Sequence, residues 1–260
     1  MDRQQRYVRL RRGKGLGRRH AQHRFLRPVA PVADDDRLLA TALWVYWGFG
    51  FDDARCDQGP LSTRPAQFNA LACQVQRACE TGTAIGKERY IGALQDIMRR
   101  FRSLATPTQV SRFTHAHRAW LSGVAWRIGN QALGRMPGLD DFLTMRLLSA
   151  GGEPTLAMLE IATGAEVPTR DLHRPAVRAL TEMAMLVASL DNDRHSLHKE
   201  LARDHADQNI YTVLMQEHIH VRTAASGVAA PAAMISALWR GGSRRPASGW
   251  PGCCRRIRCG

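Results

Sequence analysis

The feature that most constrains the fold of this chain is a series of apolar patterns with the period of an α-helix, separated by proline and glycine. In the first pattern, Leu39, Leu43 and Tyr46 are predicted to share one helical face, with Trp44 and Trp47 beside it. No segment shows the strict apolar–polar alternation of a β-strand. The sequence therefore predicts an all-α fold, a bundle of about eight helices in a single domain. The later predicted helices span residues 65–80, 87–104, 106–133, 139–150, 154–163, 173–205 and 208–218.

The net charge of the 260-residue chain is +14, which usually indicates nucleic acid or an anionic membrane surface as a partner. The charge is concentrated at the two ends. Residues 1–27 carry ten Arg or Lys against a single acid, and residues 240–260 carry six Arg and no acid. Because residues 28–239 then have a net charge of about −1, no nucleic-acid partner is expected.

The same distribution predicts three regions. A basic, disordered head is expected at 1–30, a folded domain at 31–229 and a basic tail rich in Arg, Gly and Cys at 230–260. The tail lacks apolar periodicity, so we favour a shifted reading frame over a functional basic extension as its explanation.

Cysteines and apolar runs bear on the compartment. Cys56, Cys73 and Cys79 are scattered and form no CxxC pair, so a reducing cytoplasm is predicted. The longest nearly apolar run, residues 38–51, has 14 residues and is too short to cross a bilayer. We therefore expect a cytoplasmic protein with no membrane partner, either a monomer or a homodimer.

Three hard oxygen donors recur at helical spacing in the longest predicted helix. Asn192, Ser196 and Glu200 are four residues apart, so an amide, a hydroxyl and a carboxylate share one stripe. Such oxygens are the ligands that Mg²⁺ accepts, and the adjacent Lys199 can contact an anion that shares the metal. Alone, the stripe is more typical of a solvated helical face. The apolar pattern of the same helix runs through Val177, Leu180, Met183, Leu186 and Leu190.

Charged residues also close or interrupt apolar segments elsewhere. Asp52, Asp53 and Asp57 follow the aromatic first helix, where they would repel one another unless a cation or an arginine neutralised them. The alternative is simple exposure after an apolar run. Arg146 lies within the apolar residues 142–148, where an arginine either extends to solvent or pairs with an anion.

Together these residues resemble the microbial class I terpene synthases, and the bacterial terpene cyclases in particular. The Asp-rich motif of that family is matched by residues 52–57. Its second metal motif, Asn-Asp-x-x-Ser-x-x-Lys-Glu, is matched at every fixed position from Asn192 to Glu200. In that family a diphosphate-sensing arginine lies 46 positions before the asparagine, and Arg146 stands at that distance. The resemblance extends from about residue 34 to residue 224.

The resemblance implies a helical bundle around a central pocket, with three Mg²⁺ ions at its mouth. Asp52 would be a metal ligand, Asp57 an outer or occasional ligand, and Asp53 the partner of Arg146. The three donors of the second motif would hold another Mg²⁺, with Lys199 against the diphosphate. They are Asn192, Ser196 and Glu200.

The resemblance also implies substrate contacts. Ser149 and Ala150 stand where the family's linker and effector residues follow the sensing arginine, the effector acting through its backbone carbonyl. Aromatic faces would stabilise a carbocation in the pocket. The aromatic candidates are Trp44, Trp47, Phe51 and Trp120.

The implied activity is Mg²⁺-dependent cyclisation of a prenyl diphosphate, with farnesyl diphosphate favoured and geranylgeranyl diphosphate as the alternative. The family's late Arg-Tyr pair is not found after Asn192, so the bundle is expected to be incomplete at its C-terminal end. A non-catalytic remnant and, more remotely, a basic helical nucleic-acid-binding protein also stay open as interpretations of the sequence.

Overall fold

A computed structural model of the chain describes residues 30–57, 59–82, 88–201 and 208–226, with side chains described up to residue 218. Every regular element within these ranges is helical, so the all-α prediction is confirmed. The chain divides into two compact units, Met1–Val213 and Leu214–Gly260. The site described below lies in the first unit.

The elements follow one another with short connections, and most of their bounds agree with the predicted helices to within a few residues. The last helix ends at Ser226, eight residues beyond its predicted end, and the π-helical turn and the short helix at Thr169–Leu172 were not predicted. They are α1 (Asp35–Phe51), a π-helical turn (Asp52–Asp57), α2 (Pro65–Thr81), α3 (Arg89–Leu104), α4 (Pro107–Ala132), α5 (Leu139–Ser149), α6 (Gly152–Thr163), α7 (Thr169–Leu172), α8 (Pro175–Leu201) and α9 (Ile210–Ser226).

Local capping explains where several helices begin and end. Asp34 accepts a hydrogen bond from the Arg37 N–H at the start of α1, at 2.8 Å. Thr106 and Gln109 form a reciprocal capping box at the start of α4, which satisfies otherwise unpaired backbone donors. Gly82 ends α2 at a φ of 72°, a left-handed conformation that glycine adopts without strain.

The main core lies between α1, α2, α3, α4 and α6, which pack against one another. Aromatic rings fill its centre: Trp47 stacks on Phe51 with ring centroids 5.0 Å apart, and Trp120 meets both edge-on. His117 lies in the same cluster, with its Nδ1 3.0 Å from Gln76 Oε1. Burial lowers the pKa of His117 to about 3, so the ring is neutral and the cluster is uncharged.

The buried face of α1 differs from the predicted one. Tyr46 is 39% exposed and Leu39 and Leu43 are only partly buried, whereas Trp44 and Trp47 are buried. The core side of α1 is therefore the tryptophan side of the apolar pattern, and the leucine–tyrosine face lies at its edge. Aromatic side chains bury more apolar area than the residues beside them, so the helix is turned with its tryptophans inward.

Helix α8 begins two residues after its predicted start, and its predicted end at 205 lies outside the described residues. Its burial differs from the apolar pattern. Leu180 and Met183 are 64% and 54% exposed, although both belong to its apolar pattern. Leu190 does pack on a second, smaller core of α5 and α9 residues built on Phe142, Met145 and Val213. The apolar period thus predicts the helix correctly and its buried face only in part.

Among the described helices, none combines the length and the apolar character that a membrane span requires. The predicted tail at 230–260 lies outside the described residues, as does the predicted head at 1–30 apart from Ala30, which is buried.

Candidate metal and diphosphate site

The Asp-rich motif forms a π-helical turn that directly continues α1. A π-helix closes its hydrogen bonds between residues five apart, which brings Asp52 and Asp57 to the same side of the turn. Such turns are rare and occur frequently at functional sites. Asp53 is exposed, while Asp52 and Asp57 are partly buried against α4.

Arg127 of α4 neutralises this pair of carboxylates. Its Nη1 lies 2.5 Å from Asp57 Oδ1 and its Nη2 lies 3.6 Å from Asp52 Oδ1. Burial, reinforced by the charge of Asp57, raises the pKa of Asp52 to about 7, and Arg127 and Arg146 act in the opposite direction.

Arg146 of α5 contacts the second motif on α8. Its Nη2 lies 2.6 Å from Asp193 Oδ1 and 3.1 Å from Asn192 Oδ1. In this structure Arg146 pairs with Asp193 and not with Asp53, because α5 packs on α8 and Asp193 is the buried acid in reach. The pairing of Arg146 with Asp53 stays a prediction. The charge of Arg146 also acts to lower the pKa of Asp52, although burial raises that pKa overall.

The oxygen donors of α8 are held by residues at the start of α9. Glu200 Oε2 accepts a hydrogen bond of 2.9 Å from Asn209 Nδ2, which also donates to the Asp193 carbonyl. The Ile210 N–H donates to Asp193 Oδ2 at 3.1 Å. Asn192 is exposed, Ser196 and Glu200 are half-buried, and the predicted diphosphate contact Lys199 is exposed.

Sequence reasoning missed Arg127, Asp193 as an ion-pair partner, and Asn209. Asp193 belongs to the recognised motif, but nothing in its local pattern indicates which cation it meets. Arg127 and Asn209 lie in no motif, and their partners are 70 and 9 residues away along the chain. The one available signal for Arg127 was the expectation that adjacent aspartates require a neutralising cation.

The break between α5 and α6 carries the predicted linker and effector positions. The Ser149 carbonyl accepts a hydrogen bond of 3.1 Å from Trp120 Nε1, and the N–H of Ala150 closes α5 on the Arg146 carbonyl. Gly123 allows α4 to approach closely, because a Cβ there would lie 2.6 Å from the Ser149 nitrogen. The position of this break is therefore set by α4.

The four aromatic residues predicted to contact substrate all lie in the main core. None is more than 4% exposed, and they contact one another through their ring faces and edges. Their contact with a substrate stays a prediction. They are Trp44, Trp47, Phe51 and Trp120.

Unsatisfied buried polar atoms indicate that this region suits a metal ion and an anion. Within the described residues, six buried side-chain nitrogen or oxygen atoms have no hydrogen-bond partner, and four of them lie here. Such atoms are rare in folded proteins and fit a site that binds an ion. These four are Asp52 Oδ1, Arg127 Nε, Arg146 Nε and Ser149 Oγ.

The donor set is mixed rather than a carboxylate cluster. The part of the chain that the structure describes holds no group of three or more His, Cys, Asp or Glu arranged for a metal. The available donors are instead the Asp52 carboxylate of the π-helical turn and the amide, hydroxyl and carboxylate stripe of α8. Oxygen donors of these three kinds fit Mg²⁺.

Comparison with known proteins agrees with this chemistry. The chain is 67% identical over 194 residues to spiroviolene synthase of Streptomyces violens. The aligned region covers 74% of this chain and 54% of that relative. It is 34% identical over 189 residues to (+)-T-muurolol synthase ((2E,6E)-farnesyl diphosphate cyclizing) of Streptomyces clavuligerus. That alignment covers 72% of this chain and 45% of the relative. The chain thus spans about half the length of the curated relatives it matches.

A solved structure and a family model also match this chain. The crystal structure of the SVS_A2 protein from ancestral sequence reconstruction superposes with a TM-score of 0.69 at 74% identity, over 73% of this chain and 56% of that one. Residues 43–240 match the model of terpene synthase family 2, C-terminal metal binding. The resemblance inferred from the motifs is confirmed, and the chain belongs to terpene synthase family 2.

Proposed function

We propose that this chain carries the metal-binding site of a Mg²⁺-dependent class I terpene cyclase, which ionises a prenyl diphosphate and cyclises the resulting carbocation. The observation that carries this proposal is the position of Arg146. Its guanidinium contacts Asn192 and Asp193 of the second motif, and its charge reaches Asp52 of the first. An anion that contacts Arg146 would therefore lie beside the donors of α8 and within electrostatic reach of Asp52.

The family resemblance implies the role of each residue. Mg²⁺ held here would neutralise the diphosphate so that it could leave with the electrons of the allylic C–O bond, and three ions are expected. Asp52 would hold metal on the α1 side, with Asp57 as an occasional ligand. Arg146 and Lys199 would donate to phosphate oxygens. The donors on the α8 side are Asn192, Ser196 and Glu200.

Aromatic side chains next to the site suit the carbocation chemistry that follows ionisation. A carbocation survives only where water is excluded and π faces stabilise its charge. The aromatic cluster of α1 and α4 adjoins the Asp-rich turn, because Phe51 is the residue before Asp52. We propose that this cluster forms the closed end of the substrate pocket.

Farnesyl diphosphate is the substrate we favour, since a relative that is 34% identical is named for cyclising it. Geranylgeranyl diphosphate is the alternative, because the length of the bound chain depends on pocket volume. Both diphosphates share the group that the metal site recognises, so the metal site alone accommodates either.

To test this proposal, the purified protein is incubated with Mg²⁺ and either farnesyl or geranylgeranyl diphosphate. Cyclic products are then measured by gas chromatography–mass spectrometry. Product is expected from one of the two substrates. In the Asn192→Ala/Ser196→Ala double variant it should fall more than about a hundredfold, beyond what the loss of a merely supporting group causes. The matched control is His195→Ala, an exposed neighbour on α8 that lies off the stripe of donors and should retain activity.

Undiminished product in the double variant would refute the proposed metal role of α8. No product from the wild-type chain with either substrate would instead identify it as a non-catalytic piece of the family.

A further inference from the structure

Arg127 is a partly buried cation that no motif of the sequence singles out. It lies near the end of α4, and its side chain is 21% exposed. Its two terminal nitrogens face the two carboxylates of the π-helical turn, Asp57 at 2.5 Å and Asp52 at 3.6 Å. The Arg127 guanidinium therefore faces both carboxylates and lies closer to that of Asp57.

The backbone around Arg127 is held by Gln208, which lies just before α9. Gln208 Nε2 donates a hydrogen bond of 2.8 Å to the Arg127 carbonyl, and Gln208 Oε1 lies 3.4 Å from Asn130 Nδ2. The Arg127 Nε has no partner among the described residues. The side-chain contacts of Arg127 that the structure describes are thus made to the Asp-rich turn, through its terminal nitrogens.

Electrostatics gives this contact a consequence for metal binding. Two neighbouring carboxylates that are partly withdrawn from water repel each other unless a cation compensates them. In the metal-free protein, Arg127 is that cation. A Mg²⁺ ion on Asp52 would lie close to the guanidinium, and two positive charges at short range in a protein interior repel each other strongly.

We propose that Arg127 is a built-in counter-cation of the Asp-rich motif. It stabilises Asp52 and Asp57 when no metal is bound, and it lowers the affinity of Asp52 for Mg²⁺. Metal binding on this side then depends on the negative charge that the diphosphate brings. This inference rests on the proposed function, in which Asp52 binds Mg²⁺. Arg127 is a positioning residue, since it acts through the two aspartates.

Arg112 provides a matched control. It lies on the same helix, its side chain is 19% exposed, and it pairs with the buried Glu160 at 2.8 Å. It also donates to the Val167 carbonyl and the Thr169 hydroxyl, so its contacts link α4 to α6 and α7. Its loss should destabilise the fold without a direct effect on the metal site.

The test compares full-length wild type, Arg127→Gln and Arg112→Gln by thermal unfolding during Mg²⁺ titration. Each titration is run with and without inorganic diphosphate and starts in EDTA. Both variants should unfold at lower temperature in EDTA. Without diphosphate, Arg127→Gln should respond to Mg²⁺ at a concentration at least about fivefold lower than wild type, whereas Arg112→Gln should keep the wild-type midpoint.

The diphosphate arm gives a second expectation. Inorganic diphosphate should lower the Mg²⁺ midpoint of wild type more than that of Arg127→Gln, because the variant no longer needs the added negative charge. Arg127→Lys is measured in parallel in case the glutamine variant does not fold. A single ammonium cannot bridge both carboxylates, so its midpoint should also lie below that of wild type, by a smaller factor.

Equal Mg²⁺ midpoints in wild type and the Arg127 variants would overturn the inference and leave the proposed function intact. A higher midpoint in the variants would also overturn it, because Arg127 would then assist metal binding. The absence of any Mg²⁺ response in wild type, with or without diphosphate, would overturn both this inference and the proposed metal site.

Discussion

Helices α1 and α8 both lead into predicted metal ligands, yet different forces hold them. The buried residues of α1 are almost all apolar, and its tryptophans lie in the main core. The buried residues of α8 are Met185, Ser189 and Asp193, while Leu180 and Val187 on the same helix are 64% and 70% exposed. Helix α1 is therefore anchored by hydrophobic burial, and α8 largely by polar contacts.

This difference indicates how the two sides of the site respond to change. The α1 side is part of a close-packed interior in which small changes of volume are resisted. The α8 side depends on the Arg146–Asp193 ion pair and on the hydrogen bonds of Asn209. Regions with few buried apolar contacts open more readily than the core, so α8 should be the more adaptable side.

The largest expected difference between the regions comes from truncating apolar residues. Trp47→Ala should lower the free energy of unfolding by about 3–5 kcal/mol, because the side chain is fully buried against other rings. Leu180→Ala on α8 should change it by no more than about 0.5 kcal/mol, since that side chain is mostly exposed. Urea unfolding of both variants measures the contrast, and similar losses would contradict it.

A smaller effect should come from the polar contacts of α8. Asp193→Asn should lower the free energy of unfolding by about 3 kcal/mol, because it leaves the buried Arg146 without its carboxylate. Asp191→Asn, two residues away, should have little effect, since its pair with Arg194 is exposed. Hydrogen exchange should also show faster opening of α8 in Asp193→Asn alone. Equal behaviour of the two variants would show that the ion pair does not anchor the helix.

The same contrast explains which features the sequence could predict. Helix extents and the donor stripe of α8 depend on residues close together in the chain, so local period and capping predicted them. The neutralising role of Arg127 depends on a contact across 70 residues, which only the packing of α4 on the π-helical turn creates. The Arg146–Asp193 pair could not be predicted for the same reason, because the nearness of α5 to α8 decides which acid Arg146 meets.

The central claim is that the Asp-rich turn and the α8 stripe bind one metal–diphosphate cluster around Arg146. Anomalous diffraction from crystals of the full-length protein grown with Mn²⁺ and inorganic diphosphate tests it most directly, with Mn²⁺ replacing Mg²⁺. Mn²⁺ peaks are expected within about 2.3 Å of Asp52 and of Asn192, Ser196 and Glu200, with the diphosphate in contact with Arg146. Metal at only one of the two motifs, or a diphosphate that does not contact Arg146, would contradict the claim.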